Sequence, residues 1–276
     1  MPSSEPDSRP ARRIRIGAHL EPEHVGYREI RTAVGILENL GVDMITTWDH
    51  FFPLNGDPDG RNFECWTMLA AWAEQTSAVE IGPLVSCAAY RNPDLVADMS
   101  RTLDHISGGR FVLGLGSGWA ERDFAEYGYE FRTAGERATV LDQALPRIRA
   151  RLARLNPPPA RRIPVMIGGT GEHRTLRTAA RHADIWHGEG TPEELARKHA
   201  VLDAWCAREG REPASIERAA ITDESPGPVH GYGDRIAATG TTLIAVGVNG
   251  RRITELDKIR DWVRWRDQRN LDRPRE

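Results

Sequence analysis

Two short stretches, Arg13-Ile-Arg-Ile-Gly17 and Val42-Asp-Met-Ile-Thr46, decide the fold. The first alternates polar and apolar residues and the second is rich in β-branched residues, as β-strands are. Between them apolar residues recur at helical spacing until Gly41, a residue type that commonly ends helices. A strand, a helix and a second strand in this order predict a parallel pair joined by a crossover helix.

The same unit recurs along the rest of the chain. Six further strands are predicted, over Val79–Ser86, Arg110–Leu115, Ile163–Ile167, Asp184–His187, Ile216–Ile221 and Thr242–Val246. Helical patterns separate them, and Pro146 is expected to kink the longest one. Eight strand–helix units within about 250 residues favour an α/β fold of the (β/α)8, or TIM barrel, type over an open doubly wound sheet. We expect a single barrel domain over residues 13–270 and a flexible tail over residues 1–12.

Composition narrows the classes of function. The 276 residues carry a net charge of -3, and the 37 basic residues include only two lysines, Lys198 and Lys258. Both signs of charge are interspersed, so we expect binding to neither nucleic acid nor membrane. No stretch approaches the ~20 apolar residues of a membrane span, and the polar N-terminus lacks a signal-peptide pattern. Three widely spaced cysteines favour no disulfide framework and no metal site, so the expected location is the cytoplasm.

Two histidines follow predicted strands, at the end of a barrel where active sites form. His19 ends the first strand, and Asp49-His50 ends the second beside several aromatic residues. A carboxylate next to an imidazole could tune a general acid or base, or bind the edge of a ring. Adjacent strand residues point to opposite faces, so only one of this pair needs to reach a pocket. A packed, non-functional histidine remains the alternative at each position.

The glycines of Gly114-Leu-Gly116-Ser-Gly118 also end a predicted strand. A dinucleotide-binding fingerprint would need a glycine where Trp119 stands, which argues against a Rossmann site. We expect Gly116, Ser117 and Gly118 to let a flat ring approach the backbone closely, with simple packing as the alternative.

A second glycine cluster, Gly168-Gly169-Thr170-Gly171, leads from the fifth strand into a helix. Free backbone N–H groups, the positive end of the helix and the nearby Arg174 would together suit a phosphate. The cluster is no P-loop, because no Gly-Lys-Ser/Thr follows. An ordinary strand–helix turn is the alternative.

Five longer segments resemble one family. They are Leu40 to Phe51, Tyr90-Arg91-Asn92-Pro93, Ser107 to Trp119, Ile167 to Leu176 and Ala180 to Trp186. Together they are similar to the luciferase-like flavin and deazaflavin oxidoreductases, above all to the class that uses coenzyme F420. The likeness runs from about Arg13 to Arg218.

The resemblance implies a cofactor ring over the carboxyl ends of the strands, from F420 or alternatively FMN. The cofactor phosphate would sit on Gly168, Gly169, Thr170 and Gly171 with support from Arg174. His50, with Asp49 beside it, would handle protons near the ring. The family's non-prolyl cis peptide maps near Pro83-Leu84, and these two residues and His19 complete the expected cofactor-binding set.

The chain departs from the family at two places. Sugar-phosphate dehydrogenases of the family have an acid where Trp119 stands here, so a sugar-phosphate substrate is not expected. The usual hairpin before the fifth strand is shortened to Asn156–Arg162, which we expect to open one wall of the pocket or leave it to a partner subunit.

Three functions follow from the resemblance. The first is hydride transfer between reduced F420 and a small organic substrate, and the second is an FMN- and O₂-dependent two-component monooxygenase. The third is a barrel that binds a ligand without catalysis. A homodimer and a flavin or F420 reductase are the expected partners, and Trp262 and Trp265 would either lie at an interface or cap the barrel. The arginine excess suggests GC-rich coding, which favours the deazaflavin.

Overall fold

The computed structural model describes residues 12–228, 231–249 and 256–271. The described residues form nine parallel β-strands in one sheet: β1 Arg15–Glu21, β2 Met44–Thr47, β3 Glu80–Pro83, β4 Ser86–Cys87, β5 Leu113–Gly116, β6 Val165–Gly168, β7 Ile185–Gly188, β8 Glu217–Thr222 and β9 Leu243–Asn249. The strand order is β3-β2-β1-β9-β8-β7-β6-β5-β4. Since β3 and β4 are successive pieces of one stretch, the sheet curls into the predicted barrel.

Helices alternate with these strands. Those in the described part of the chain are α1 Tyr27–Asn39, α2 Cys65–Gln75, α3 Pro93–Ile106, α4 Glu121–Glu126, α5 Ala134–Leu152, α6 Thr175–His182, α7 Pro192–Arg208, α8 Tyr232–Ala238 and α9 Asp257–Leu271. The short α4 was not predicted. The long α5 runs through Pro146 without a break in the helix, and the kink expected there stays a prediction. The predicted tail lies almost entirely outside the described residues.

The predicted third strand is divided into two pieces. β3 pairs with β2, and β4 pairs with β5 on the other side, with a bridge between Ile81 and Phe111 closing the gap. A cis peptide bond joins Leu84 to Val85 between the two pieces. The expected position at Pro83-Leu84 was therefore wrong by one residue.

The inner face of the barrel is filled in layers, as is usual for this fold. Arg15 binds Glu80 and Glu217 at the N-terminal end of the strands. Above this charged layer lies an apolar one, made of the buried side chains Met44, Val112, Met166, Ile185, Ala219 and Leu243. These two layers close the barrel from below, so an inner cavity can open only at the C-terminal end.

Two further expectations concern the outside of the barrel. Trp262 and Trp265 are both buried, and their indole N–H groups donate to the Glu224 carbonyl at 2.8 Å and to Asp234 at 3.0 Å. They cap the barrel within this chain.

The shortened segment before β6 receives hydrogen bonds from the C-terminal half of α3, at the N-terminal end of the strands. It contributes no residue to the cavity described below, because a segment that enters a parallel strand lies at the opposite end.

Candidate active site

A cavity of about 500 Å³ opens at the C-terminal ends of the strands. This volume is suitable for a small organic ligand or a cofactor ring. Most of the predicted site residues line it: His19, Asp49, His50, Leu84, Gly116, Ser117, Gly118, Gly168, Gly169, Thr170 and Gly171. Pro83 and Arg174 are the two predicted residues that do not.

His50 is held on one wall of the cavity by a carboxylate. Its Nδ1 lies 2.6 Å from Asp123 Oδ2, and the other carboxylate oxygen accepts the Phe51 N–H at 3.1 Å. Tyr90 donates its hydroxyl to the same Asp123 at 3.3 Å. Burial raises the pKa of Tyr90, so this hydroxyl stays protonated and available as a donor. An Nδ1–H bound to a carboxylate leaves Nε2 as the nitrogen that can exchange a proton.

Asp49 points to the opposite side and is committed to structure. Arg91 clasps it with two N–H groups at 2.6 and 3.0 Å, and the Ser86 hydroxyl donates to it at 2.6 Å. Burial raises the pKa of Asp49, and the Arg91 charge opposes that rise. With its oxygens engaged, Asp49 ties the end of β2 to β4. The structure therefore pairs His50 with Asp123 and not with the expected Asp49, which supports the wall from behind.

Two buried histidines flank the cavity floor as neutral imidazoles. Burial lowers the pKa of His19 to about 3, with His187 and His50 adding to the effect, and lowers the pKa of His187 to about 4. His19 Nδ1 lies 3.0 Å from the Thr46 hydroxyl. His187 has Nε2 buried without a hydrogen-bond partner among the described residues. Both rings offer uncharged hydrogen-bonding groups to a ligand.

The glycines of β5 and β6 that lie beside the cavity make room for the divided third strand. A Cβ on Gly114 would lie 1.9 Å from the Pro83 carbonyl oxygen, and one on Gly116 would lie 2.5 Å from a methyl group of Val85. A Cβ on Gly168 would also lie only 2.8 Å from Val85. These glycines therefore make room for the residues around the cis peptide. Packing therefore accounts for these glycines in part, while Gly116, Ser117 and Gly118 also line the cavity beside Val85 and their contact with a ring stays a prediction.

The turn after β6 has backbone N–H groups without protein partners. The N–H groups of Thr170, Gly171 and His173 donate to no group in the described part of the chain. Gly169 has a φ of +128°, a conformation that favours glycine. The Thr175 side chain, at the start of α6, fills the space that a Cβ on Gly171 would need and lines the cavity. Free N–H groups at a helix start form an anion site.

Arg174 does not join this turn. Its guanidinium donates to the Gly135 carbonyl and to the Thr139 hydroxyl, both at 3.1 Å, on the first turns of α5. Gly135 lies in the first turn of the neighbouring helix and offers its carbonyl within reach. In this structure the Arg174 guanidinium is engaged by α5, and its support of a phosphate stays a prediction.

An aromatic cluster forms the mouth of the cavity. Trp119 is 63% exposed, and its ring lies 5.2 Å from that of His50 in an edge-on arrangement. Behind it Phe51 stacks on Tyr127 at 4.0 Å, and Tyr90 stacks on Tyr129 at 5.2 Å. The cluster presents flat apolar surface beside the imidazole. The density of aromatic residues between 119 and 131 was the available sequence signal for it.

The described residues contain neither a metal-binding cluster nor a membrane-spanning helix. No group of three or more His, Cys, Asp or Glu residues there could hold a metal ion. No helix in those ranges is both long and apolar enough to cross a membrane.

Residues 12–222 match the family model described as luciferase-like monooxygenase. This chain belongs to that family. The match includes β1 through β8, and with them almost every residue of the cavity.

Curated relatives have different activities. The F420-dependent glucose-6-phosphate dehydrogenase of Kribbella flavida is 34% identical over 138 residues, which cover 49% of this chain and 41% of the relative. The enzyme with the same name from Rhodococcus erythropolis is 28% identical over 205 residues, 72% of this chain and 56% of the relative. The pyrimidine monooxygenase RutA of Stutzerimonas stutzeri is 27% identical over 177 residues, covering 56% and 49%. The luciferase-like chain thus spans about half the length of these relatives.

Solved structures share the fold. An F420-dependent secondary alcohol dehydrogenase in complex with an F420-acetone adduct superposes with a TM-score of 0.79 at 16% identity, covering 92% of this chain and 98% of that one. The EDTA monooxygenase of Chelativorans sp. BNC1 gives 0.70 at 12% identity, covering 94% of both chains. At these identities the likeness establishes the barrel alone.

The cavity of this luciferase-like chain fits a tricyclic ring with a phosphate. The unpaired N–H groups after β6 suit the phosphate, and the apolar surface of Val85 suits a flat ring. The partnerless Nε2 of the buried His187 shows a polar group left unsatisfied by the protein at the same floor.

Proposed function

We propose that this chain is an oxidoreductase in which hydride passes between the deazaflavin coenzyme F420 and a small organic substrate. The proposal rests on one observation: the His50–Asp123 pair and the anion-binding turn lie on two walls of the same cavity. The F420-dependent relatives support the choice of cofactor. When bound, the deazaflavin supplies the hydride chemistry at its ring carbon C5.

The protein's own residues bind, orient and handle the proton. The turn Gly168–Gly171 would hold the phosphate, and Leu84 and Val85 would lie against the ring. His50 Nε2 gives or takes the proton that accompanies hydride transfer, because Asp123 fixes Nδ1 as the donor nitrogen. The buried Asp123 also stabilises the imidazolium that forms when Nε2 accepts a proton. Cys87 takes no part as a nucleophile, since burial raises the pKa of its thiol to about 12.

Binding titrations test the cofactor. Purified protein is titrated with F420 and with FMN, and the change in ligand fluorescence gives a Kd for each. We expect F420 to bind more tightly. Protein that binds neither ligand in equilibrium dialysis would contradict the proposal as a whole, whereas tighter binding of FMN would contradict only the choice of cofactor.

An FMN-dependent two-component monooxygenase is the second candidate. The pyrimidine monooxygenase relative supports it. Oxygen uptake distinguishes the two functions, because hydride exchange with F420 consumes no O₂. Turnover that requires O₂ in proportion to product would favour the monooxygenase.

A barrel that binds a ligand without catalysis is the third reading. The His50→Ala variant tests it, with His105→Ala as the matched control because His105 is exposed and binds the Pro158 carbonyl at the N-terminal end. We expect His50→Ala to keep cofactor binding and lose turnover, and His105→Ala to keep both. Absence of turnover in the parent protein against a broad panel of substrates would favour the carrier.

The remaining expectations extend the proposal. The substrate is a small molecule, and the sugar phosphate of the dehydrogenase relatives is not the one we propose, since Trp119 stands where those enzymes are expected to have an acid. The homodimer, the reductase partner and the cytoplasmic location stay predictions.

A further inference from the structure

The carbonyl groups of the turn after β6 are held from behind by side chains. Three N–H donors from β7 and α7 form hydrogen bonds with these carbonyl oxygens. Trp186 Nε1 donates to the Gly169 oxygen at 3.0 Å, and Lys198 Nζ donates to the Thr170 oxygen at 3.0 Å. Trp205 Nε1 donates to the Glu172 oxygen at 2.8 Å. These donors lie outside the barrel wall, on the side away from the cavity. The turn is therefore fixed by contacts that never touch a ligand in the cavity.

Peptide geometry converts these contacts into an orientation of the N–H groups. In a planar trans peptide the C=O and the following N–H point in opposite directions. Fixing the three carbonyls toward α7 directs the N–H groups of Thr170, Gly171 and His173 the other way. These three N–H groups are among those that lack protein partners in the described part of the chain.

Lys198 adds charge to this orientation. Its side chain is only 13% exposed, and Nζ also lies 3.6 Å from Glu172 Oε1. A cation bound to a peptide oxygen polarises that peptide and strengthens the hydrogen bond its N–H can donate. The Thr170 carbonyl and the Gly171 N–H belong to the same peptide unit, so Gly171 is the donor most affected.

We propose that Lys198, assisted by Trp186 and Trp205, is a positioning residue that prepares the turn Gly168–Gly171 to bind the phosphate of the cofactor. The inference rests on the proposed function, because the ligand is the phosphate-bearing cofactor of that same cavity. Its effect is confined to the phosphate: the ring lies against other residues, so loss of Lys198 weakens only ligands that carry the phosphate.

Two ligand pairs isolate that effect. FMN and riboflavin differ by one phosphate and give the matched comparison. F420 and its ribityl deazaflavin core differ by the phosphate together with the acyl tail esterified to it, so this second pair reports on the whole phosphate-bearing tail. The Kd of each ligand is measured by fluorescence for the parent protein and for Lys198→Met. The matched control is Lys258→Met, because Lys258 also donates to a loop carbonyl, that of Asp223 at 2.8 Å, outside the turn.

We expect Lys198→Met to raise the Kd of the phosphate-bearing ligand about tenfold, the equivalent of about 1.4 kcal/mol, and to change that of the phosphate-free ligand less than about twofold. Lys258→Met should change neither. Trp205→Phe removes one N–H donor and keeps an aromatic ring, so it should produce a smaller rise, about threefold, in the same ligands. Urea denaturation of each variant identifies any that fail to fold, and Trp205→Phe then provides the test.

Several results would overturn the inference. Equal weakening of both members of a pair by Lys198→Met would show a general structural role, and an unchanged preference for the phosphate would show no role. If the parent protein binds the ring without preferring the phosphate, this inference fails and the proposed function survives. If the parent binds none of the four ligands, the proposed function fails, and this inference with it.

Discussion

The two buried histidines at the cavity floor predict an acid-sensitive fold. An imidazole whose pKa is lowered on folding binds its proton in the unfolded chain before it does so in the native one. The stability it contributes is complete above the unfolded pKa of 6.5 and is lost as the pH falls toward the folded value. For His187 that window runs from 6.5 down to about 4, and for His19 down to about 3.

The magnitude follows from the two pKa values of each group. At pH 5, proton binding to each histidine stabilises the unfolded chain by a factor whose logarithm is about 1.5, and it stabilises the folded chain by almost nothing. At about 1.36 kcal/mol per unit, each histidine lowers the free energy of unfolding by about 2 kcal/mol relative to pH 7.5. The effects overlap, because the charge of a protonated His187 disfavours protonation of His19.

Urea denaturation at pH 7.5 and pH 5.0 measures this difference. We expect His187→Gln to remove about 2 kcal/mol of the pH-dependent loss, since glutamine does not titrate. His173→Gln is the control, because His173 is exposed in the turn before α6. The reasoning is refuted if the parent protein is equally stable at both pH values, or if His187→Gln loses as much stability on acidification as the parent does.

Three other substitutions have clear expected outcomes. Arg91→Met leaves a buried carboxylate unpaired and should lower the free energy of unfolding by about 3–5 kcal/mol in urea denaturation. Arg147→Met removes only an exposed ion pair and should leave the free energy of unfolding nearly unchanged. Gly114→Ala would place a Cβ 1.9 Å from a backbone oxygen and should prevent folding, as judged by circular dichroism. Gly35→Ala, within α1, makes only an ordinary contact at 3.5 Å and should stabilise the folded protein by about 0.5–1 kcal/mol. Asp123→Asn keeps the shape of the His50 contact and removes the charge of the carboxylate. It should lower kcat about 10–100-fold while the Kd of the cofactor stays within about twofold. An unchanged kcat would contradict the role of that carboxylate.

Local patterns predicted the eight strand–helix units and favoured a barrel, and the family resemblance strengthened that choice. Each strand was short, bounded by glycine or proline and followed by a helical repeat, and such signals need no knowledge of distant residues. The division of the third strand could not be predicted in the same way. It depends on how β3 and β4 pair with different neighbours, and on glycines that are contributed by β5 and β6.

The candidate site was predicted in position and only partly in role. His50 lines the cavity as expected, but its partner Asp123 lies 73 positions further along the chain in a helix that was not predicted. Asp49 stood beside His50 in the sequence and looked like the natural partner. Both residues lie beyond the end of β2, where Arg91, which was part of a family segment without an assigned role, binds the Asp49 carboxylate instead.

The same division between near and far contacts explains why the sequence indicates Arg174, and not Lys198, as the residue that supports phosphate binding. Arg174 follows the glycine turn directly, so proximity in sequence suggested that it would bind the phosphate, yet its guanidinium serves α5. Lys198 lies 28 positions from the carbonyl it binds, and a single lysine in α7 gave no local signal. A residue that acts on the ligand through the backbone needs to be close only to the back of the turn. Since sequence patterns reveal the strand ends where ligands bind, they find the groups that face the cavity more readily than those that hold it in shape.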